Sequence, residues 1–243
     1  MNVSSMHSLT VYLHCAMSDK LHIVTIDGPS GVGKSTVSRL LAQRLGNTYL
    51  DTGAMYRAVA LACREADIDP TDERAVAALL NTFRLNLQPP DQVDADIRVF
   101  LNSKEITQFL RTPEIGMMAS KVSALPIVRE RLTQLQRQIG ERGEIVAEGR
   151  DTGTVVFPEA AWKFYLDATP EERARRRAEQ LKQEGIKVDQ ATILEQIIKR
   201  DLNDSTRSLA PLKPADDAVI IDSSHLSVED VVKIIISQIS TVN

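Results

Sequence analysis

Residues 28–35 read GPSGVGKS, preceded by the apolar run LHIVTI at 21–26 and followed by Val37, Leu40, Leu41 and Leu45 at helical spacing. Strand, glycine-rich turn and helix, in that order, are the setting in which G-x-x-x-x-G-K-[ST] works as a phosphate loop. At average residue usage a chance match somewhere in 243 residues has odds on the order of 1%. Each residue type has a chemical reason. Gly28, Gly31 and Gly33 let the backbone turn N–H groups toward phosphate oxygens, with Pro29, Ser30, Val32 and Thr36 completing the loop and first helical turn. Lys34 reaches the β and γ phosphates of a nucleoside triphosphate, and the Ser35 hydroxyl suits Mg²⁺.

The rest of the chain continues the alternation that this unit begins. Apolar strands are expected at 48–50, 144–147, 163–166 and 218–221, and helices at 35–45, 51–66, 127–139, 170–184, 190–202 and 228–239. That order implies an α/β fold with a doubly wound parallel sheet and right-handed crossovers. One stretch departs from it: 83–106 alternates with period two in FRLNL and DIRVFLN, punctuated by Pro89, Pro90 and an Asn102–Ser103 turn, and reads as a small inserted antiparallel sheet. The charged segment 171–200, with Gly185 between two helices, reads as a mobile helical hairpin or as a solvated helical face. The expected organisation is one domain over 21–243, with a substrate-binding insert at about 82–127 and a lid at about 170–205, while 1–20 is an extension.

Composition removes whole classes of function. With 43% hydrophobic and 26% charged residues, the chain resembles an ordinary globular protein, and no apolar run approaches the roughly 20 residues that cross a bilayer. The balance of 29 basic to 33 acidic residues argues against a broad duplex-binding face. Cys15 and Cys63 have no metal-ligand spacing and cannot form a disulfide framework, which fits a reducing, cytoplasmic setting. The apolar stretch at 9–13 lacks the preceding positive charge of a signal peptide.

A phosphate loop leaves open what the triphosphate is used for. A guanine-reading Asn-Lys-x-Asp is missing from the sequence, and there is little room for partner-facing motor domains. A small kinase should carry arginines that hold a second phosphate, and Arg57 in DTGAMYR and Arg150 in EGRDTG follow expected strands in that way. Taken singly, Arg57 reads equally as a helix-surface residue and Asp151 as a turn or cap.

The phrases IDGPSGVGKST, LDTGAMYRA, EGRDTGTVVFP, LDATPEERARRR, RDLNDSTRSLAPL and AVIIDSS occur in this order between residues 26 and 224 and resemble the bacterial cytidylate kinases, a family of P-loop nucleoside monophosphate kinases. The resemblance implies transfer of the γ-phosphoryl group of ATP, with Mg²⁺, to CMP or dCMP, by a monomer with no nucleic acid or membrane partner. A UMP, TMP or AMP kinase is the neighbouring alternative. It implies further that Arg57, Arg150 and Arg207 hold the acceptor phosphate, with Thr52 and Tyr56 beside it and Arg200 and Asp204 near the ribose. Ser120, Arg129 and Asp151 would read the cytosine, Asp151 accepting from the exocyclic amine that uracil lacks. Arg176 belongs to the ATP side, and Arg173, Arg176, Arg177 and Arg200 are candidates to close from the lid. Lys34, Arg150, Arg200 and Arg207 would carry the catalysis. Glu148 stands where relatives often carry Asp, and would meet Mg²⁺ through water.

Overall fold

The computed structural model describes residues 22–90, 96–183, 185–186 and 188–241. The expected extension at 1–20, with its apolar stretch and Cys15, lies outside them.

Five parallel strands form the central sheet: β1 (Ile23–Asp27), β2 (Thr48–Asp51), β6 (Ile145–Gly149), β7 (Trp162–Asp167) and β8 (Val219–Asp222), in the order β2-β6-β1-β7-β8. Every residue of β1 and β6 is buried, because both are covered on two faces and flanked on both edges. The last strand differs from its expected buried character. β8 lies at the sheet edge, with Val219 and Ile220 exposed and Ile221 alone buried.

α1 (Lys34–Leu45) and α8 (Val228–Ser240) cover one face, where Val37 and Leu41 pack with Val231, Val232 and Ile235 over Ile26 and Phe164. α2 (Thr52–Glu65), α3 (Glu73–Thr82), α4 (Pro113–Val122) and α5 (Pro126–Gly140) build the other. The second antiparallel sheet is where the period-two pattern placed it: β3 (Leu85–Gln88), β4 (Arg98–Leu101) and β5 (Lys104–Glu105). Asn102 and Ser103, at φ 48° and 70°, make the tight turn that pairs Leu101 with Lys104. The inner face of this insert, Val99 and Leu101, joins the same core as Met55, Ala58 and Leu61 of α2. It is therefore fused to the helix that follows β2.

α6 (Pro170–Gln183) and α7 (Gln190–Thr206) form the charged hairpin, with a small core of Ala174, Leu181, Ile193 and Ile197. α7 runs one turn further than the expected 202, so Arg200 and Asp204 share a face and Arg207 follows as the C-cap residue. Four elements were not anticipated: α3, α4, a 3-10 turn over Thr107–Phe109 and a π-helical turn over Thr152–Val156 directly after β6.

Candidate active site

The phosphate loop leaves β1 at Gly28, whose φ of 150° and position 2.1 Å (as a built Cβ) from the Leu166 carbonyl oxygen admit no side chain. Gly33, at φ 97°, is the N-cap of α1 and supplies no capping side chain, leaving the first-turn N–H groups of α1 to an anion. The buried Lys34 ammonium donates to the Pro29 carbonyl at 2.7 Å. Burial and the neighbouring Arg150 pull the Lys34 pKa well down, against the opposing charges of Glu148 and Asp27.

Glu148, on β6, faces the loop from the side. Its Oε1 accepts from the Tyr49 hydroxyl at 2.5 Å, and the Ser35 hydroxyl lies near enough to help hold the carboxyl pKa down. Its Oε2 is buried with no hydrogen-bond partner. Burial, then the charge of Asp51, pushes the Glu148 pKa up, and Lys34 opposes that. A hydroxyl and an unsatisfied carboxylate oxygen beside a phosphate cradle fit Mg²⁺, which takes few protein ligands and completes its shell with phosphate oxygens and water. No group of three His, Cys, Asp or Glu side chains that could hold a metal alone occurs among the described residues.

Across the ends of β2 and β6 lies the cationic half. Asp51 caps α2, its Oδ1 accepting from Ala54 N at 2.9 Å, and Arg57 approaches its Oδ2 at 3.6 Å. The residues after β6 turn outward: Arg150 Nε donates to Asp204 Oδ2 at 2.9 Å, and Asp151 Oδ2 accepts from Arg129 Nη1 at 3.0 Å. Arg129 also donates to the Tyr56 hydroxyl at 3.2 Å and lies over its ring. Arg207 stands 3.8 Å from Asp151 and 3.9 Å from Asp204. Arg200 is half-buried beside Arg150 and Arg57, and desolvation first, then those like charges, lower its pKa to about 10.

Four guanidinium groups, Arg129, Arg150, Arg200 and Arg207, thus gather around two carboxylates, Asp151 and Asp204, with Arg57 beside Arg200 and paired to Asp51. The surplus charge is matched by surplus donors, since Arg129 Nε, Arg200 Nε and Arg207 Nη2 are buried without a hydrogen-bond partner. Desolvated cations with free N–H groups are a receptor for a phosphate or other compact anion. Burial raises the Asp151 pKa while Arg129 and Arg207 hold it down. For Asp204 the same burial is outweighed by Arg150 and Arg200, and its pKa falls below the usual value.

The cytidylate kinase family model matches residues 24–241. The chain belongs to the cytidylate kinase family. A cytidylate kinase from Pseudomonas aeruginosa strain UCBPP-PA14 is 48% identical over 220 residues, covering 90% of this chain and 96% of that protein. One from Pelotomaculum thermopropionicum is 47% identical over 217 residues, covering 89% and 95%. Among solved structures, an uncharacterized protein from Eubacterium ventriosum aligns with a TM-score of 0.50 at 14% identity, covering 91% of this chain and 99% of that one; it shares the fold.

Within the cytidylate kinase frame, most of the residues expected from sequence lie together and some are committed elsewhere. Thr52 is buried and donates its hydroxyl to the Glu148 carbonyl at 2.7 Å, tying β2 to β6. Ser120 is half-buried on α4, and no hydrogen bond among the described residues joins its hydroxyl to Arg129 or Asp151. Arg173, expected at a closing lid, is 4% exposed: its Nε donates to Ala168 O at 3.0 Å, and its Nη1 donates to Ser30 O at 3.1 Å and pairs with Asp201 at 2.7 Å. It braces the phosphate loop against the hairpin. Arg176 donates to Ser223 O at 2.6 Å and Glu172 at 2.8 Å, and Arg177 to Gln180 at 2.7 Å.

Sequence reasoning missed three contributors. Tyr49 holds Glu148, Asp27 clamps the start of the π-helical turn, and Arg111 reaches both Asp96 at 2.6 Å and Asp51 at 3.7 Å. Only Asp27 carried a signal, as a carboxylate ending an otherwise apolar strand against the loop.

Proposed function

We propose that this chain transfers the γ-phosphoryl group of ATP to the phosphate of CMP or dCMP, releasing ADP and CDP or dCDP. The observation that carries the reading is the cluster of Arg57, Arg129, Arg150, Arg200 and Arg207 around Asp51, Asp151 and Asp204 at the same sheet end as a complete phosphate loop. Two anions must meet there, and only a strongly cationic pocket with low solvent access offsets their repulsion.

The acceptor is already an oxyanion, so no general base is required and alignment and charge neutralisation do the work. The loop N–H groups and Lys34 hold the donor phosphates, and Arg57, Arg150 and Arg207 hold the acceptor phosphate. Arg200 and Lys34 lie near the junction between the two, where the Arg200 charge helps to lower the Lys34 pKa. Mg²⁺, held by Ser35 and through Glu148, supplies charge neutralisation on the donor phosphates when bound. Asp151, oriented by Arg129, accepts from the cytosine amine; a uracil carbonyl would face it with a second acceptor. The α6–α7 hairpin acts as the lid, moving as a unit because it has its own small core, and the insert around β3, β4 and β5 forms the acceptor side. The reading extends to a cytoplasmic monomer, and no helix among the described residues is long and apolar enough to cross a membrane.

An ADP-release assay with ATP and Mg²⁺ and each of CMP, dCMP, UMP, TMP and AMP tests this. Turnover with CMP or dCMP well above the other acceptors is expected; equal turnover with UMP overturns the assignment of Asp151, and turnover with AMP or TMP alone overturns the reading.

A further inference from the structure

Asp27 is the last residue of β1 and is followed at once by Gly28 of the phosphate loop, yet its side chain serves the opposite half of the site. Oδ1 accepts from Thr152 N at 2.9 Å and Thr152 Oγ1 at 2.8 Å, and Oδ2 accepts from Gly153 N at 2.8 Å. A carboxylate only 4% exposed is costly unless its lone pairs are met, and here three donors meet them. All three belong to the first two residues of the π-helical turn Thr152–Val156.

Of those two N–H groups, that of Gly153, the second residue of the turn, is one a helical N-cap side chain ordinarily satisfies. Asp151 occupies that N-cap position and is a residue type well suited to the task, but it makes no capping bond. Its carboxyl is turned away to Arg129 and Arg207. A residue from another strand has taken over the cap.

Two glycines make room for this exchange. A Cβ at Gly149 would lie 2.7 Å from Thr152 Cγ2 and 2.7 Å from Thr52 Oγ1, and one at Gly153 would lie 2.8 Å from Thr25 Oγ1 and 3.4 Å from Asp27 Oδ2. Burial pushes the Asp27 pKa up, and the hydrogen bonds from Gly153 and Thr152 pull it back.

We infer that Asp27 is a positioning residue for base selection: by capping the Thr152–Val156 turn from β1, it frees the Asp151 carboxyl to pair with Arg129 and face the acceptor base. Resting on the CMP-kinase reading above, this places one residue at the junction of donor loop and acceptor reader. Without Asp27, the N–H groups of Thr152 and Gly153 are buried and unmet, and the nearest carboxylate able to answer them is Asp151. The base-reading group would then be drawn into the turn.

The test compares Asp27→Asn, Thr152→Val and Thr152→Ser with the wild type, reading kcat/KM for CMP and for UMP, the KM for ATP and the melting temperature. Asp27→Asn sets an amide N–H₂ against a main-chain N–H, and the CMP-to-UMP ratio should fall at least about tenfold while the ATP KM moves less than about threefold. Thr152→Val leaves Asp27 and the phosphate loop in place and should lower the ratio at least about threefold, with Thr152→Ser restoring it. Should Asp27→Asn fail to fold, Thr152→Val decides. A ratio within about twofold of wild type in a folded variant, or a raised ATP KM with the ratio unchanged, overturns the inference and leaves Asp27 a support of the loop alone. Wild-type protein that does not prefer CMP to UMP overturns the reading and the inference together; a wild-type preference that survives Thr152→Val overturns the inference only.

Discussion

Arg129 Nη1 stands 3.0 Å from Asp151 Oδ2, with both side chains more than nine-tenths shielded from solvent. Arg129 comes from α5 and Asp151 from the turn after β6, 22 residues apart in sequence. A buried pair of this kind contributes little net stability, because desolvation offsets the attraction, but breaking it leaves one charge uncompensated.

Asp151→Ala should therefore cost about 3–5 kcal/mol of stability, since Arg129 would keep its charge in a buried site with its Nε already unpartnered. Asp151→Asn keeps the shape and one acceptor, and should cost less stability while reducing the CMP-to-UMP ratio of kcat/KM by about tenfold or more. Denaturant unfolding and the two-substrate assay separate the effects; equal selectivity in Asp151→Asn and wild type would remove Asp151 from base reading.

Arg173 was expected at a closing lid, and its surroundings give a different role. One guanidinium meets Ala168 O, Ser30 O and Asp201, joining β7, the phosphate loop and α7. Arg173→Met should lower stability by about 3 kcal/mol by leaving Asp201 and two carbonyls unmet. It should also raise the ATP KM through the loosened Ser30 segment, with little change in the CMP KM. A variant as stable as wild type by denaturant unfolding would return Arg173 to the mobile set.

How far the site could be read from sequence follows from what each signal depends on. β1 and β6 were legible because buried parallel strands are continuous apolar runs, and the loop because its chemistry is local. α4 was not, because Gly116 and Pro113 dilute its pattern; the cap at Thr112, accepting from Ile115 N with proline next, was the available clue. The β-branched TGTVV favours a strand by propensity and forms a π-helical turn because Asp27 caps it from across the sheet. Arg57 and Arg150 were placed by their position after strands. Their partners were not, since Arg150 with Asp204 and Arg173 with Asp201 are fixed by how the α6–α7 hairpin folds over the sheet.

Arg200 is a half-buried cation on the acceptor side whose guanidinium is only partly satisfied. Its Nε has no partner, and Arg150 and Arg57 crowd it. Such strain is relieved when a phosphate arrives, and most when charge spreads over the transferring group. Arg200→Ala should lower kcat by at least about fiftyfold, and Arg200→Lys should recover only part, since an ammonium lacks the planar fork. A loss of kcat below about fivefold would make Arg200 a member of an ion-pair ladder with Asp204 and Asp201.

The same crowding sets a pH dependence. Burial and the like charges of Arg150 and Arg57 bring the Arg200 pKa down to about 10, well below that of a free guanidinium. A bound phosphate favours the charged form, so CMP affinity should be constant below that value and fall as pH rises through it. The folded state gives up this proton more readily than the unfolded chain, so this group's contribution to stability moves the other way and rises as pH climbs above about 10. Tyr56 and Tyr165 are pushed up to about 12 by burial and stay protonated through the window, while burial and the neighbouring Arg129 lower Arg207 in the same direction as Arg200. Calorimetric titration of CMP without ATP or Mg²⁺, from pH 8 to 11, should show this weakening in the wild type and a shallower profile in Arg200→Met. A wild-type affinity unchanged across pH 10 would mean that Arg200 keeps its charge and is solvated or paired more fully than its half-buried position between Arg150 and Arg57 implies.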